Sequence, residues 1–288
     1  MMRKLDGQVI IVTGASAGIG EATARRLASE GAIVVMFARR NDRLGALKQE
    51  VEAKGGRTLA VSGDVTNEED RARLVRETLD SFGRIDALVN NAGYGQRGPI
   101  ELVPIDAIRQ NFETNLFSLI ALTQLVIPKM REARRGRIVN VSSVAGRIAR
   151  PLSSVYDATK HALEAISDGM RGELAPFGIE VVVIQPGFIV TEFLDVANEN
   201  VRDITEHAGP YAPFFEGLTA GFKRARKMSG RPEDIADVIV KALRSDNPRA
   251  RYAAPGHARL ALTLKRWLPA SLFDYILSRQ SGVPEKLV

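Results

Sequence analysis

The feature that most limits how this chain can fold is a regular alternation, near its N-terminus, of short β-branched runs with stretches of helical periodicity. Val9–Val12 leads through TGASAGIG (Thr13–Gly20) into Glu21–Glu30, where Ala22, Leu27 and Ala28 form one helical face before Gly31. A strand at Ala32–Phe37, a helix near Arg43–Lys54, a strand at Thr58–Ser62, a helix at Glu68–Phe82 and a strand at Ala87–Val89 follow. Strands joined in this way run parallel, with right-handed crossovers that place helices on both faces. Farther on, IEVVVIQPG from Ile179, with the apolar Val181–Ile184 at its centre, reads as a strand in the middle of such a sheet. The expected class is α/β: a doubly wound parallel sheet in a single domain spanning 1–288.

Ligands of these sheets sit beyond the carboxyl ends of the strands, where TGASAGIG, Ala38-Arg39, Asp64, NNAG (Asn90–Gly93) and Ser143 fall. Gly14, Gly18 and Gly20 permit a tight turn and let a pyrophosphate reach the N–H groups at the positive end of a helix. An NAD-binding unit places a carboxylate about twenty residues later for the ribose 2′-hydroxyl, and Ala38 stands there instead. Arg39, with Arg40 beside it, can pair with a 2′-phosphate, so NADP is expected in preference to NAD.

In SVAGRIARPLSSVYDATK, Lys160 follows Tyr156 by four, so on a helix the two share a face. An ammonium beside a phenol favours the phenolate and lowers a pKa that is normally near 10. Ser143, arriving from the strand-like RIVNVSS, would donate a hydrogen bond to the same reacting oxygen. Alone, the Tyr–Lys pair is better read as a half-buried tyrosine beside a solvated lysine, and the chemical reading needs the other residues. Asn115, in ETNLFSLIALTQ, either serves proton transfer or bridges backbone groups where a long helix bends.

Taken together, Thr13–Gly20, Asn90–Gly93, Asn115, the Ser143, Tyr156 and Lys160 set, and Pro186-Gly187 followed by Thr191 resemble the short-chain dehydrogenase/reductase family across Lys4–Thr191. The resemblance implies a Rossmann-type fold and interconversion of an alcohol with a ketone or aldehyde. It implies Tyr156 as general acid/base and Ser143 as donor to the substrate oxygen. Lys160 would depress the tyrosine pKa and hold the nicotinamide ribose, and Asn115 would support a proton-relaying water. Ser16 and Ile19 join the glycines, Asp64 and Val65 flank the adenine, Asn90, Ala92 and Gly93 line the cofactor, and Pro186, Gly187, Ile189 and Thr191 meet its carboxamide end. Ala17 departs from the pattern, since many NADP-using members carry a basic residue there. Homodimers or homotetramers through the long helices are implied too. A redox sensor or interaction protein that binds NADP without turnover is the alternative, and keeping all four reactive residues argues against it.

Phe188–Met228 interleaves Phe193, Leu194, Tyr211, Phe214, Phe215, Leu218 and Phe222 with Gly and Pro, which suggests a substrate lobe over 188–228. Its aromatics either wall a pocket for an apolar, lipid-, steroid- or retinoid-like substrate or anchor the lobe. In an amphipathic tail, 257–288, Leu260, Leu264, Trp267 and Leu268 share a face, Pro269 interrupts, and Leu272, Phe273, Ile276 and Leu277 resume. It fits a subunit contact, a cover over the cleft, or peripheral contact with a membrane. Seven of the Lys/Arg residues and two acids lie from Arg249 onward, so most of the net +6 is in the last forty residues and the body is a poor nucleic-acid binder. With no cysteine and three scattered histidines, no metal site is expected. MMRKLDGQVI lacks the apolar core of a signal peptide, and no run is long enough to span a bilayer, so a cytoplasmic location is expected.

Overall fold

The computed structural model describes residues 4–193, 195, 208–215, 217 and 229–281. Its strands are β1 (Val9–Thr13), β2 (Ile33–Ala38), β3 (Arg57–Ser62), β4 (Ala87–Asn90), β5 (Gly136–Val141), β6 (Ile179–Pro186) and β7 (Arg251–Ala254). They form one sheet in the order β3-β2-β1-β4-β5-β6-β7, with every neighbouring pair parallel. The helices are α1 (Gly18–Ser29), α2 (Asn41–Ala53), α3 (Glu68–Phe82), α4 (Ile105–Phe112), α5 (Ser118–Glu132), α6 (Ser154–Leu174), α7 (Pro232–Arg244), α8 (Gly256–Trp267) and α9 (Ala270–Ser281). The doubly wound sheet read from the sequence is therefore the fold.

Successive side chains of a strand point to opposite faces, so a sheet covered on both sides needs apolar residues at every position. Along β1, Ile10 and Val12 pack with Leu27 of α1 and Ile235 and Ile239 of α7. Val9 and Ile11 pack on the other side with Leu74 of α3 and Leu122 and Val126 of α5. One cation is built into this interior. Arg137 of β5 is buried beside Glu180 and donates 2.7 Å bonds to the carbonyls of Ala242 and Leu243, satisfying the C-terminal end of α7.

Helix ends follow local chemistry. The Asn67 side chain accepts from the Asp70 amide at 2.9 Å to start α3, and Gly83 ends it at a φ of 68°. The first helix starts at Gly18 instead of the expected Glu21, because the glycines of the turn are wound into its first turn. Between α4 and α5, Glu113–Phe117 form a π-helical turn. It bends the long helix at Asn115.

β1 leads outward to β2 on one side, while β4 lies on its other side, so the strand order reverses between β1 and β4. A crevice opens there at the carboxyl ends. Within the expected lobe, Phe215 packs with Val103, Val155 and Ala208, whereas Leu194, Leu218 and Phe222 lie outside the described residues. In the tail, Phe273 and Leu277 pack on Ile148 with Leu268 and Ala261. Leu260, Leu264 and Trp267 face outward, Trp267 at 76% exposure. Leu268 leaves their face because it follows the last turn of α8 in an extended conformation. Residues 282–288 lie outside the described part. Among the described residues, no helix is long and apolar enough to cross a membrane, and no cluster of His, Asp or Glu could hold a metal.

Candidate active site

Gly14 leaves β1 at a φ of +65°, where side chains other than glycine are strained, and a Cβ there would lie 3.0 Å from the Ala92 Cα. At Gly20 a Cβ would come within 2.3 Å of the Gly14 carbonyl oxygen, so α1 can sit on this turn only because the position is glycine. Ala17, the N-cap of α1, makes no side-chain cap. The N–H groups of the first turn are thus directed at whatever enters the crevice. That crevice is a cleft of about 640 Å³ running from Gly14, Ser16, Gly18 and Ile19 to Ser143, Tyr156 and Lys160. The glycine cradle, the uncapped helix and the length of the cleft fit a dinucleotide.

At the β2 end of the cleft the two arginines behave differently. Arg39 is 80% exposed at its side chain and lies 3.9 Å from the Asp64 carboxylate, which itself accepts from the Thr66 amide and hydroxyl at 2.9 Å. Arg40 donates to the Ser16 hydroxyl at 3.1 Å and to Glu192 at 2.7 Å, and Arg43 reaches the same carboxylate at 2.5 Å. Hydrogen bonds from these two guanidinium groups hold the Glu192 carboxyl below its usual pKa. Val65, Ala92, Gly93, Pro186, Gly187, Ile189 and Thr191, which the resemblance assigned to the cofactor, also line the cleft.

Gly20, Asn90 and Asn115 do not line it. The Asn90 amide points the other way, donating to Asn140 at 2.9 Å and to Thr123 at 3.1 Å. Asn90 is the last residue of β4, so its neighbour Asn91 faces the cleft instead, with its amide on the Thr13 carbonyl at 3.0 Å. Asn115 is fully buried in the π-turn and clasps the Tyr94 backbone, accepting from its N–H and donating to its carbonyl, both at 2.9 Å. This is the backbone-bridging geometry expected where a helix bends. A Cβ on Gly93 would meet both Asn115 Oδ1, at 2.9 Å, and Lys160 Nζ, at 3.8 Å, so the amide and the lysine head converge on one backbone position.

Tyr156 and Lys160 lie one turn apart on α6, both buried. Lys160 Nζ donates to the Val141 carbonyl at 3.0 Å and stands 5.9 Å from the Tyr156 ring centre. Burial pushes its pKa down to about 8, against which nearby Glu164 works. The phenol pKa is raised, not lowered as expected: burial raises it most, and the Ser143 hydroxyl, Arg150 and Arg97 pull the other way. The lysine head is committed to a backbone carbonyl, so desolvation of the phenol dominates. Tyr156 therefore holds its proton at neutral pH, ready to donate it. Ser143, just past β5, accepts from the Ala145 amide at 3.1 Å and lies beside the phenol. Phe193 meets the Tyr156 ring edge-on at 5.4 Å.

Arg97, Arg150, Tyr94, Asn91 and Glu192 line the cleft without having been singled out in the sequence. No motif marks the first two, although Asp157, an acid placed directly after Tyr156, hinted at a cationic partner. Arg150 grips Asp157 through Nη2 at 2.6 Å and Nε at 3.2 Å, with the Ser153 hydroxyl on the same carboxylate at 2.8 Å. Asp157→Ala would leave the guanidinium buried without its carboxylate and is expected to lower stability by about 3–5 kcal/mol. The check is a fall in the urea midpoint at unchanged slope.

The comparisons agree with one another. Residues 8–202 match the family model described as short chain dehydrogenase. A 3-ketodihydrosphingosine reductase of Bacteroides thetaiotaomicron is 33% identical over 272 residues, covering 94% of this chain and 96% of that protein. A metagenomic short-chain oxidoreductase solved with NADP superposes with a TM-score of 0.70 at 29% identity, covering 87% of this chain and 98% of its own. A 7α-hydroxysteroid dehydrogenase solved with NADH and 7-oxo glycochenodeoxycholic acid gives 0.74 at 29%, covering 88% and 94%.

Proposed function

Because the chain belongs to the short-chain dehydrogenase family, and is thus a nicotinamide-dependent oxidoreductase acting on CH–OH groups, we propose that it reduces an apolar ketone using NADPH, with Tyr156 as the proton donor. The observation that carries the reading is a buried phenol that stays protonated at neutral pH, seated beside Ser143 between the glycine cradle and an aromatic wall. When bound, the cofactor supplies the hydride. Everything else falls to the protein. Tyr156 gives its proton to the oxygen that becomes negative, Ser143 donates a hydrogen bond to that oxygen, and Lys160 holds the ribose. Asn115 fixes the Tyr94 backbone at the edge of the cleft and, with Lys160, frames the position for a relaying water.

The substrate class rests on the aromatics. Phe188 and Phe193 line the cleft, which supports an apolar pocket wall, whereas Phe215 and Tyr211 pack in the lobe with Val103. Relatives named for a ketosphingoid base and a bile-acid ketone support an extended apolar substrate. His257 at the head of the tail accepts from the Phe188 amide at 3.1 Å, which ties α8 to the floor of the cleft. The outward stripe of Leu260, Leu264 and Trp267, flanked by Lys265 and Arg266, suits contact with another subunit or an anionic membrane surface. Phe117, Leu125 and Ile166, exposed on the long helices, suit assembly into dimers or tetramers. The direct assay is loss of reduced-nicotinamide absorbance with long-chain and polycyclic ketones. Turnover of small polar carbonyls only would refute the substrate class.

NADP over NAD is read from Arg39 and from Ala38 in place of a carboxylate. Arg39→Ala should weaken NADPH binding by about 10- to 100-fold, the worth of one charge-assisted contact, while NADH affinity stays within about twofold. Equal losses for both cofactors, measured by fluorescence titration, would contradict the assignment.

A further inference from the structure

The Ser143, Tyr156 and Lys160 set does not account for the charges around the phenol. Lys160 is turned to the Val141 carbonyl, and its head lies 5.9 Å from the ring centre. A second cation stands at the same distance: the Arg97 guanidinium carbon is 5.9 Å from the centre of the Tyr156 ring. Arg97 comes from the loop after β4, is buried, and lines the cleft. Its loop is tied to the segment before α6 by a 3.0 Å bond from the Gly98 amide to the Leu152 carbonyl, and Gln96 Nε2 donates to the Arg97 carbonyl at 3.1 Å.

The other charges facing Tyr156 come from α6 and the segment before it. Arg150 favours the phenolate, somewhat more strongly than Arg97 does, and its ion-pair partner Asp157 opposes it. Arg97 acts on Tyr156 in one direction only. Burial, and after it the neighbouring Arg150, depress the Arg97 pKa to about 10, so the guanidinium stays charged through the neutral range.

We propose that Arg97 is a positioning residue for the reaction: its guanidinium, held over the Tyr156 ring, supplies the field that stabilises the phenolate and so sets the pH at which Tyr156 gives up its proton. This rests on Tyr156 as the acid/base for its meaning in catalysis, but not for its physics. Arg97 thereby adds to the field of Lys160, at the same distance from the ring centre, a cation outside the Ser143, Tyr156 and Lys160 set. The Arg150–Asp157 pair holds the flanking segment in place.

Two measurements separate the proposal from the reading beneath it. The first follows tyrosinate absorbance after a pH jump, with NADP bound, as the difference between the protein and Tyr156→Phe; the same difference is taken in Arg97→Gln and Arg97→Lys backgrounds. The Tyr156 midpoint should rise by about one pH unit in Arg97→Gln and stay within a few tenths in Arg97→Lys, as expected for removing one unit charge held over the ring. A midpoint unmoved in Arg97→Gln, or moved equally in Arg97→Lys, overturns the proposal. The second is the pH profile of kcat for alcohol oxidation, whose alkaline-rising limb should shift by the same amount in Arg97→Gln. A midpoint that moves while the limb stays put would leave the field established and instead refute Tyr156 as the group that limits turnover. If Arg97→Gln does not fold, Arg97→Met in the same difference titration carries the same two outcomes, with Arg97→Lys as the charged reference.

Discussion

Tyr156→Phe should lower turnover about a thousandfold and leave NADPH affinity within about twofold. The hydroxyl is the single atom removed; the ring keeps its edge contact with Phe193 at 5.4 Å and its place on the first turns of α6. What disappears is the proton that the reduced oxygen needs. Without it an alkoxide would form in a largely apolar cleft, where an unpaired charge is costly. Ser143 remains to donate a hydrogen bond, so activity should fall without vanishing. The phenol is raised in pKa mainly by burial, so in the reductive direction the parent should keep a flat kcat from the neutral range upward until the phenol begins to ionise. Near-parental turnover in the variant, at any pH, would remove Tyr156 from the mechanism. A loss confined to KM would make it a binding residue instead.

The sequence disclosed the architecture because a parallel sheet buried on both faces writes itself as uninterrupted apolar runs, such as Val9–Val12 and Val181–Ile184. It disclosed the cradle because Gly14 needs a positive φ and Gly20 abuts a carbonyl, and both demands leave glycine as the trace. Direction was harder to read. Asn90 and Asn91 differ by one step along β4, which is half a strand period, and only the register of the strand decides which amide enters the cleft. Lys160 was placed correctly on the tyrosine's face, but the carbonyl that captures its head comes from Val141, on a strand nineteen residues earlier in the chain. Arg97 and Arg150 sit in irregular loops that no periodicity organises, and a backbone bond between Gly98 and Leu152 helps tie their two segments together beside Tyr156. Charges that gather through tertiary structure leave no spacing behind.

Lys160 makes a prediction of opposite sign for the free protein and for its complex. Its pKa falls from an ordinary 10.5 to about 8 because burial penalises the ammonium. In the unfolded chain the same amine stays protonated until about pH 10.5, so between pH 8 and 10 the unfolded state binds more protons than the folded one. Stability then rises with pH across that window and contributes a few kcal/mol by pH 10. Tyr156 does not offset this below pH 10, since its folded pKa lies above the ordinary value and its unfavourable effect begins only where the unfolded phenol ionises. The cofactor reverses the balance. If Nζ holds the ribose as proposed, an anionic cofactor in the same cleft would favour the ammonium, so at pH 9 NADP should bind with uptake of close to one proton, and more weakly than at pH 7. Calorimetry in buffers of different ionisation enthalpy reads that proton directly, and urea titrations from pH 7 to 10 read the stability of the free chain. In Lys160→Met both signatures should disappear: the midpoint should no longer rise between pH 8 and 10, and binding should become proton-neutral while falling at least tenfold at pH 7. If Lys160→Met keeps the alkaline rise, another buried base is responsible. If it binds NADP as tightly as the parent, the lysine holds the Val141 carbonyl and nothing else.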